Sequence, residues 1–220
     1  MPRIARVVAP DVPHHVTQRG NRRQKVFFTE EDFQYYLELM SRWCRKCGVK
    51  VWSYCLMPNH VHLIAVPKTE DSLARGIGEA HRRYTRMINF RKNWRGYLWQ
   101  GRFASFPMDE QYLIAAARYI ELNPVRARLV ENPADYAWSS ARAHIEGRDD
   151  ILVKVKPLLE IVGYDWSEFL SEPLVKKEAK ALRRHERTGR PLGGEKFITR
   201  LEKRLGRILK PSKPGPQKRS

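Results

Sequence analysis

Cysteine is scarce in this chain. Three cysteines in 220 residues, an odd number, exclude a disulfide framework and fit a reducing compartment. Long apolar runs are missing too: no stretch approaches the roughly 18 apolar residues of a membrane span. The opening residues, Met1 to Pro10, lack the apolar centre of a secretory signal. No internal repeat is visible. Acidic residues are the remaining shortage, with 24 Asp and Glu against 42 Lys and Arg and a net charge of +18. Such a surplus calls for a polyanionic partner. With no membrane span, the expected partner is DNA or RNA, met in the cytoplasm.

Cys44 and Cys47 form a Cys-x-x-Cys, but Cys55 is the only other cysteine. The four-ligand set of a structural zinc site is therefore lacking. Small core thiols are the simpler reading.

Periodicity orders the chain. His15 to Arg19 alternates and reads as a strand, turned by Gly20 to Arg23. Thr29 and Asp32 open a helix whose apolar face is Phe33, Tyr36, Leu37, Met40 and Trp43, ended by Gly48. Two strands, about 50–56 and 60–66, flank the short turn Met57-Pro58-Asn59, which fits an antiparallel pair. A second helix covers about 72–90, a short strand about 102–107, and a third helix begins near Asp109. The order is β-α-β-β-α-β-α. Its first six elements predict an α+β fold, a ferredoxin-like antiparallel sheet with helices on one face.

Composition shifts beyond residue 150. Leu174 to Ser220, under a quarter of the chain, carries 16 Lys and Arg against 4 Asp and Glu, two thirds of the net charge. Phe197, Leu201, Leu205 and Ile208 mark one amphipathic helix in it. The expected organisation is an α+β domain over 1–150, a basic, mainly helical DNA-binding extension over 151–209, and a Pro-rich basic tail over 210–220 that stays disordered.

The chemistry concentrates in two places. His60 and His62 are two apart on a strand and project to one face, so both offer a ring nitrogen to one divalent ion. The third helix carries Tyr119 and Asn123, four apart and hence stacked on one side. The amide oxygen of Asn123 is a neutral hard ligand suited to Mg2+ or Mn2+. Asn123-Pro124 is equally a helix start. The Tyr119 phenol is a candidate nucleophile, though it also suits a half-buried core position. If the helix packs beside the histidine pair, one site holds a metal, three ligands and a nucleophile. Attack on a phosphodiester then leaves one DNA end on the tyrosine and a free hydroxyl on the other.

Four stretches together resemble the REP-associated tyrosine transposases, a branch of the single-tyrosine HUH transposases. They are His15-Val16-Thr17-Gln18-Arg19-Gly20-Asn21, Met57-Pro58-Asn59-His60-Val61-His62, Leu98-Trp99-Gln100-Gly101-Arg102-Phe103, and Tyr119-Ile120-Glu121-Leu122-Asn123-Pro124-Val125-Arg126-Ala127. The resemblance covers roughly residues 10 to 145. It implies an RRM-like catalytic domain, a divalent metal on His60 and His62, with Asn123 at the place of a third polar ligand, and Tyr119 as nucleophile. It implies single-stranded DNA folded into REP-type hairpins as substrate, a 5′-phosphotyrosine intermediate, and a bacterial protein at the nucleoid, monomer or homodimer. Two rival classes stay open: a module that binds hairpin DNA or RNA without cutting, and a metal nuclease that uses water.

The basic residues singled out for DNA are Arg82, Arg83 and Arg86 on the second helix and Arg102, Arg118 and Arg126 nearer the expected site. The first three read equally as a solvated face. Trp94, Tyr97, Trp99 and Phe103 suit base stacking, with most of them expected in the core.

Overall fold

A computed structural model describes residues 5–210. The expected tail at 210–220 lies outside the described residues except for Lys210. Strands β1 (His14–Arg19), β2 (Val49–Met57), β3 (His60–Pro67) and β4 (Ala104–Pro107) form one sheet in the order β2-β3-β1-β4. Every neighbouring pair is antiparallel. Helix α1 (Glu30–Lys46) connects β1 to β2, and α2 (Ser72–Lys92) connects β3 to β4. This is the split βαβ topology that the pattern predicts.

The local causes are those visible in the residues. The Asp32 carboxylate accepts from the backbone N–H groups of Phe28 and Thr29 at 2.8 and 3.2 Å, half of a capping box at the start of α1. The same carboxylate pairs with Arg91 at 2.7 Å, tying α1 to the end of α2. Asn93, in the left-handed region at φ 51°, stops α2 just beyond the expected boundary. Gly101, at φ +64°, delays β4 to Ala104.

Strand alternation then divides the molecule. Val16, Val61, Leu63 and Ala65 face α1 and α2, where Tyr36, Met40, Ile77 and Tyr84 close a mainly apolar core. His15, His62, Ile64 and Phe106 face the other way. That second face is covered by α3 (Glu110–Glu121) and by chain that follows it: α4 (Asn123–Arg126), α5 (Ala141–Ile145), α6 (Lys156–Val162), α7 (Trp166–Ser171) and α8 (Lys176–Thr188). Ala116 and Ile120 of α3, Trp166 and Phe169 of α7 and Leu182 of α8 share one core with Ile64 and Phe106. The segment beyond residue 150 is mainly helical, and it closes the sheet.

Gly193 shows how closely that segment approaches. A side chain there would meet Asp109 at 2.6 Å and Phe197 at 2.5 Å. Asp109 caps α3 through Tyr112 N–H and also accepts from Gly194 N–H at 2.8 Å, so the passing chain sits on the start of the helix that carries Tyr119. Helix α9 (Glu195–Leu205) is the expected amphipathic helix, and Leu201 packs with Val7, Ala9 and Leu209. It ends at Gly206, φ +59°, which leaves Ile208 89% exposed and not on the apolar face. Cys44 and Cys55 are buried and Cys47 half-buried, all as free thiols. Among the described residues no helix is long and apolar enough to cross a membrane.

Candidate active site

The second face of the sheet opens into a cleft where β1, β3, α3, α4 and α8 meet. His60, His62, Tyr119 and Asn123 all line it. The histidine rings lie 5.0 Å apart between centroids at 82°, and the Tyr119 ring lies 5.8 Å from that of His62. Two distant pieces of chain therefore converge as expected. Tyr119 is only 5% exposed, yet it borders the cleft while its neighbour Ile120 enters the core.

Each histidine presents one free nitrogen. Asn59 donates from Nδ2 to Arg23 O at 3.0 Å, which turns its Oδ1 toward His60. His60 Nδ1 lies 2.6 Å from that oxygen and must donate to it. The nitrogen left for a ligand is Nε2. His62 Nδ1 lies 3.0 Å from His15 Nε2, so here too Nε2 remains. Burial, with Arg19 and Arg126 nearby, lowers the His60 pKa to about 4. Burial and then its histidine and arginine neighbours push His62 well below the ordinary value. Both rings are neutral lone-pair donors near neutral pH.

Asn123 supplies the third polar group. Leu122, not Asn123, holds the cap position of α4. The Asn123 side chain is thus not consumed by a helix start, and its buried Nδ2 has no partner. Two neutral imidazoles, each with a free Nε2, fit a divalent cation, whereas the orphaned Asn123 Nδ2 is an N–H donor and fits a phosphate oxygen.

Positive charge surrounds this group. Among the described residues six arginines line the cleft: Arg19, Arg23, Arg102, Arg126, Arg183 and Arg187. Arg126 Cζ sits 4.1 Å over the Tyr119 ring and donates to the Tyr119 carbonyl at 3.0 Å. Arg183 Nε donates to Tyr119 Oη at 3.5 Å. Among the described residues Glu186 is the only carboxylate lining the cleft, and burial pushes it up to about 7 against the pull of Arg19 and other arginines.

Of the arginines singled out from sequence, Arg102 and Arg126 reach the cleft. Arg118 does not. It is buried, donates from Nε to Phe169 O at 2.9 Å and pairs with Glu172. The reason is helical geometry: Arg118 and Tyr119 are consecutive and point about 100° apart. Arg82, Arg83 and Arg86 sit on the exposed side of α2, behind the opposite face of the sheet. Glu79 holds both Arg82 and Arg83 at 2.7 Å. Among the aromatics, Trp99 and Phe103 are buried, whereas Tyr97 is 85% and Trp94 41% exposed.

Sequence reasoning passed over Arg19, Arg23, Asn59, Arg183, Glu186 and Arg187. Arg19 was accessible by period two from His15 and Thr17, and its cross-strand partner is His60. Arg183 and Arg187 share a helix face by their spacing of four. Nothing local placed that face over the cleft.

Glu121, between Tyr119 and Asn123, turns away from the cleft into a buried polar cluster. His144 Nδ1 faces its carboxylate at 2.8 Å, Ser140 and Ser53 donate at 2.6 and 3.1 Å, and Trp166 Nε1 donates at 2.8 Å. Burial alone would raise this carboxyl; His144 and the donors hold it below its ordinary value. Burial likewise opposes the charged form of His144, and Glu121 overcomes it, raising the histidine. The cluster clamps the end of α3 to β2, α5 and α7.

The family profile described as "Transposase IS200 like" matches residues 9–123. The solved structure of a REP-associated tyrosine transposase bound to a REP hairpin is similar to this chain, with a TM-score of 0.58 at 19% identity, covering 69% of this chain and 90% of that one. A protein of Deinococcus radiodurans R1 solved as a candidate transposase aligns over 55% of this chain and 96% of its own, at 20% identity and a TM-score of 0.38. No curated protein sequence matches.

Proposed function

Since the chain belongs to the IS200-like transposases, we propose that it cuts and rejoins single-stranded hairpin DNA of the REP type through a 5′-phosphotyrosine on Tyr119. In this reading His60, His62 and Asn123 hold Mg2+ or Mn2+. The observation that carries it is the convergence of two neutral imidazoles, the Asn123 side chain and a phenol in one cleft lined by arginines.

A divalent cation bound there supplies Lewis-acid charge to the phosphate oxygens. The protein does the rest. Arg102 and Arg126 hold the scissile phosphate by charge-assisted hydrogen bonds. Arg183 donates to Tyr119 Oη and, with Arg126 over the ring, places positive charge where the attacking oxygen becomes negative. The phenol oxygen bonds to phosphorus, the P–O3′ bond breaks, the phenol proton leaves, and the 3′ oxygen takes up a proton. The tyrosyl phosphodiester conserves the bond, so a second 3′ hydroxyl reverses the step and joins a new end. Arg82, Arg83 and Arg86 belong to this reading as phosphate contacts on a flank remote from the cleft. The likeness to a structure holding a REP hairpin supports the choice of hairpin DNA.

The test is incubation with a labelled single-stranded hairpin library and manganese. Wild-type protein should give a covalent protein–DNA adduct, and Tyr119→Phe should lose both adduct and cleavage while still binding. Cleavage that survives Tyr119→Phe identifies a water nuclease. A wild-type protein that binds but never cuts identifies a binding module.

A further inference from the structure

The two metal-binding imidazoles of this reading are held differently. His60 is fixed by Asn59, its neighbour in sequence. His62 is fixed by His15, which reaches beyond the matched segment to α8. His15 is fully buried, and its ring lies near-parallel to that of His62, at 17° with 5.2 Å between centroids. Its Nε2 meets His62 Nδ1 at 3.0 Å. Its other nitrogen, Nδ1, faces Glu186 Oε1 at 4.0 Å. Both of these facing atoms are buried and neither has a hydrogen-bond partner.

Proton placement along this row has only two consistent directions. If the Glu186 carboxylate, 4.0 Å away and thus acting by charge rather than by a hydrogen bond, draws the proton to its side, His15 carries it on Nδ1 and accepts on Nε2. His62 must then carry its proton on Nδ1, and its Nε2 lone pair is free for the cleft. If the row runs the other way, His62 is protonated on Nε2 and cannot bind a cation. The carboxylate at the end of the row therefore selects the binding tautomer at its beginning.

We propose that Glu186, carried by α8 of the C-terminal segment, is a positioning residue that acts through His15 to hold His62 in its metal-binding tautomer. Resting on the metal reading above, it makes the extension part of the metal centre. The extension is then more than a surface for DNA. Glu186 lies outside residues 9–123 matched by the family profile, so this support comes from the part of the chain the profile does not cover. The alternative grouping, an ion held directly by His15, His62 and Glu186, would place the cation on the buried side of His62, away from His60 and Asn123.

The full chain can be titrated with Mn2+ and free ion followed by electron paramagnetic resonance. Wild-type protein should bind and His60→Ala should not. Glu186→Ala should bind about 10-fold more weakly. Absence of Mn2+ binding by wild type rejects the metal reading itself; unchanged affinity in Glu186→Ala rejects the present inference alone. Binding that survives His60→Ala but not His15→Phe overturns it in favour of the buried grouping. Histidine 15N–1H correlation spectra of the Mg2+-loaded wild type require no variant to fold. They should show His15 and His62 both protonated on Nδ1. His15 protonated on Nε2 overturns the row, as does a weakened Glu186→Ala in which the His15 tautomer is unchanged, since that loss would come from charge alone.

Discussion

The two faces of the sheet are made from the same strands and have opposite characters. On one, Val16, Val61 and Leu63 meet α1 and α2 in an apolar core. On the other, His15, His60 and His62 meet α3 and α8 around an arginine-lined cleft. The two sets alternate residue by residue, so adjacent positions on β3 do unrelated work. A one-residue shift in register would exchange them. The apolar face is indifferent to detail beyond size and shape. The polar face needs each group in a particular tautomer and orientation, and it recruits a further hundred residues to arrange them.

Neighbouring substitutions on β3 offer the hardest test of this contrast. His62→Ala should reduce DNA cleavage to background in a gel assay while denaturant unfolding shifts by about 1–3 kcal/mol, the cost of leaving the buried His15 Nε2 unpaired. Leu63→Ala should do the reverse, costing about 2–5 kcal/mol in denaturant unfolding through the cavity it leaves, with residual folded protein still cleaving. Equal effects on both readouts would dissolve the distinction.

The buried pair on the polar face comes next. His144→Ala leaves Glu121 charged and enclosed, and urea unfolding should show a loss of about 3–5 kcal/mol. Because Glu121 lies between Tyr119 and Asn123, cleavage by the folded fraction should also fall. A variant that unfolds like wild type would show the clamp to be dispensable.

Acid should act on both faces. His15, His60 and His81 are lowered from 6.5 to about 3, 4 and 3 by burial, so the fold holds them neutral. Below pH 6.5 the unfolded chain binds protons that the folded chain refuses. This part of the stability is therefore complete above 6.5 and is lost as pH falls toward 4. His144 has the opposite sign, since its pKa is raised: its contribution is full below 6.5 and fades as pH rises through the folded value. Melting temperature should thus drop steeply on the acid side, and a flat profile from pH 7 to 4.5 would contradict neutral burial.

The smallest effect expected is on salt dependence. Arg102→Ala in the cleft should reduce the slope of log affinity against log salt by about one, for one lost phosphate contact. Arg82→Ala, held by Glu79 behind the other face, should change it less. A larger change from Arg82 would mean that the α2 flank, not the cleft, carries the stronger phosphate contacts.

Much of this was legible in the residues. Thr29 with Asp32, Gly48, and the alternation of β1 and β3 carry their structural meaning within a few positions, because caps and pleats are local. His60 and His62 share a face for the same reason. Arg118 was misplaced because helical direction, not sequence proximity to Tyr119, decides where a side chain points. Glu186, Arg183 and Arg187 were silent, since a basic helix reads alike whether it lies in solvent or over a cleft. The stretch over 174–209 read as a basic, mainly helical DNA-binding extension. Leu182 and Leu201, both buried, show that part of it completes two cores.

Sequence alone determined the first seven secondary elements, the split βαβ order and the two chemical half-sites, since short-range periodicity and capping act over a few residues. Tertiary structure alone decided that α3 and α8 close over the histidine face, which nitrogen each ring offers, and which arginines surround the phenol. Several of those outcomes depend on contacts between distant residues, such as His15–His62, 47 positions apart, and His15–Glu186, 171 apart, and only burial of a shared apolar core brings such groups to one place.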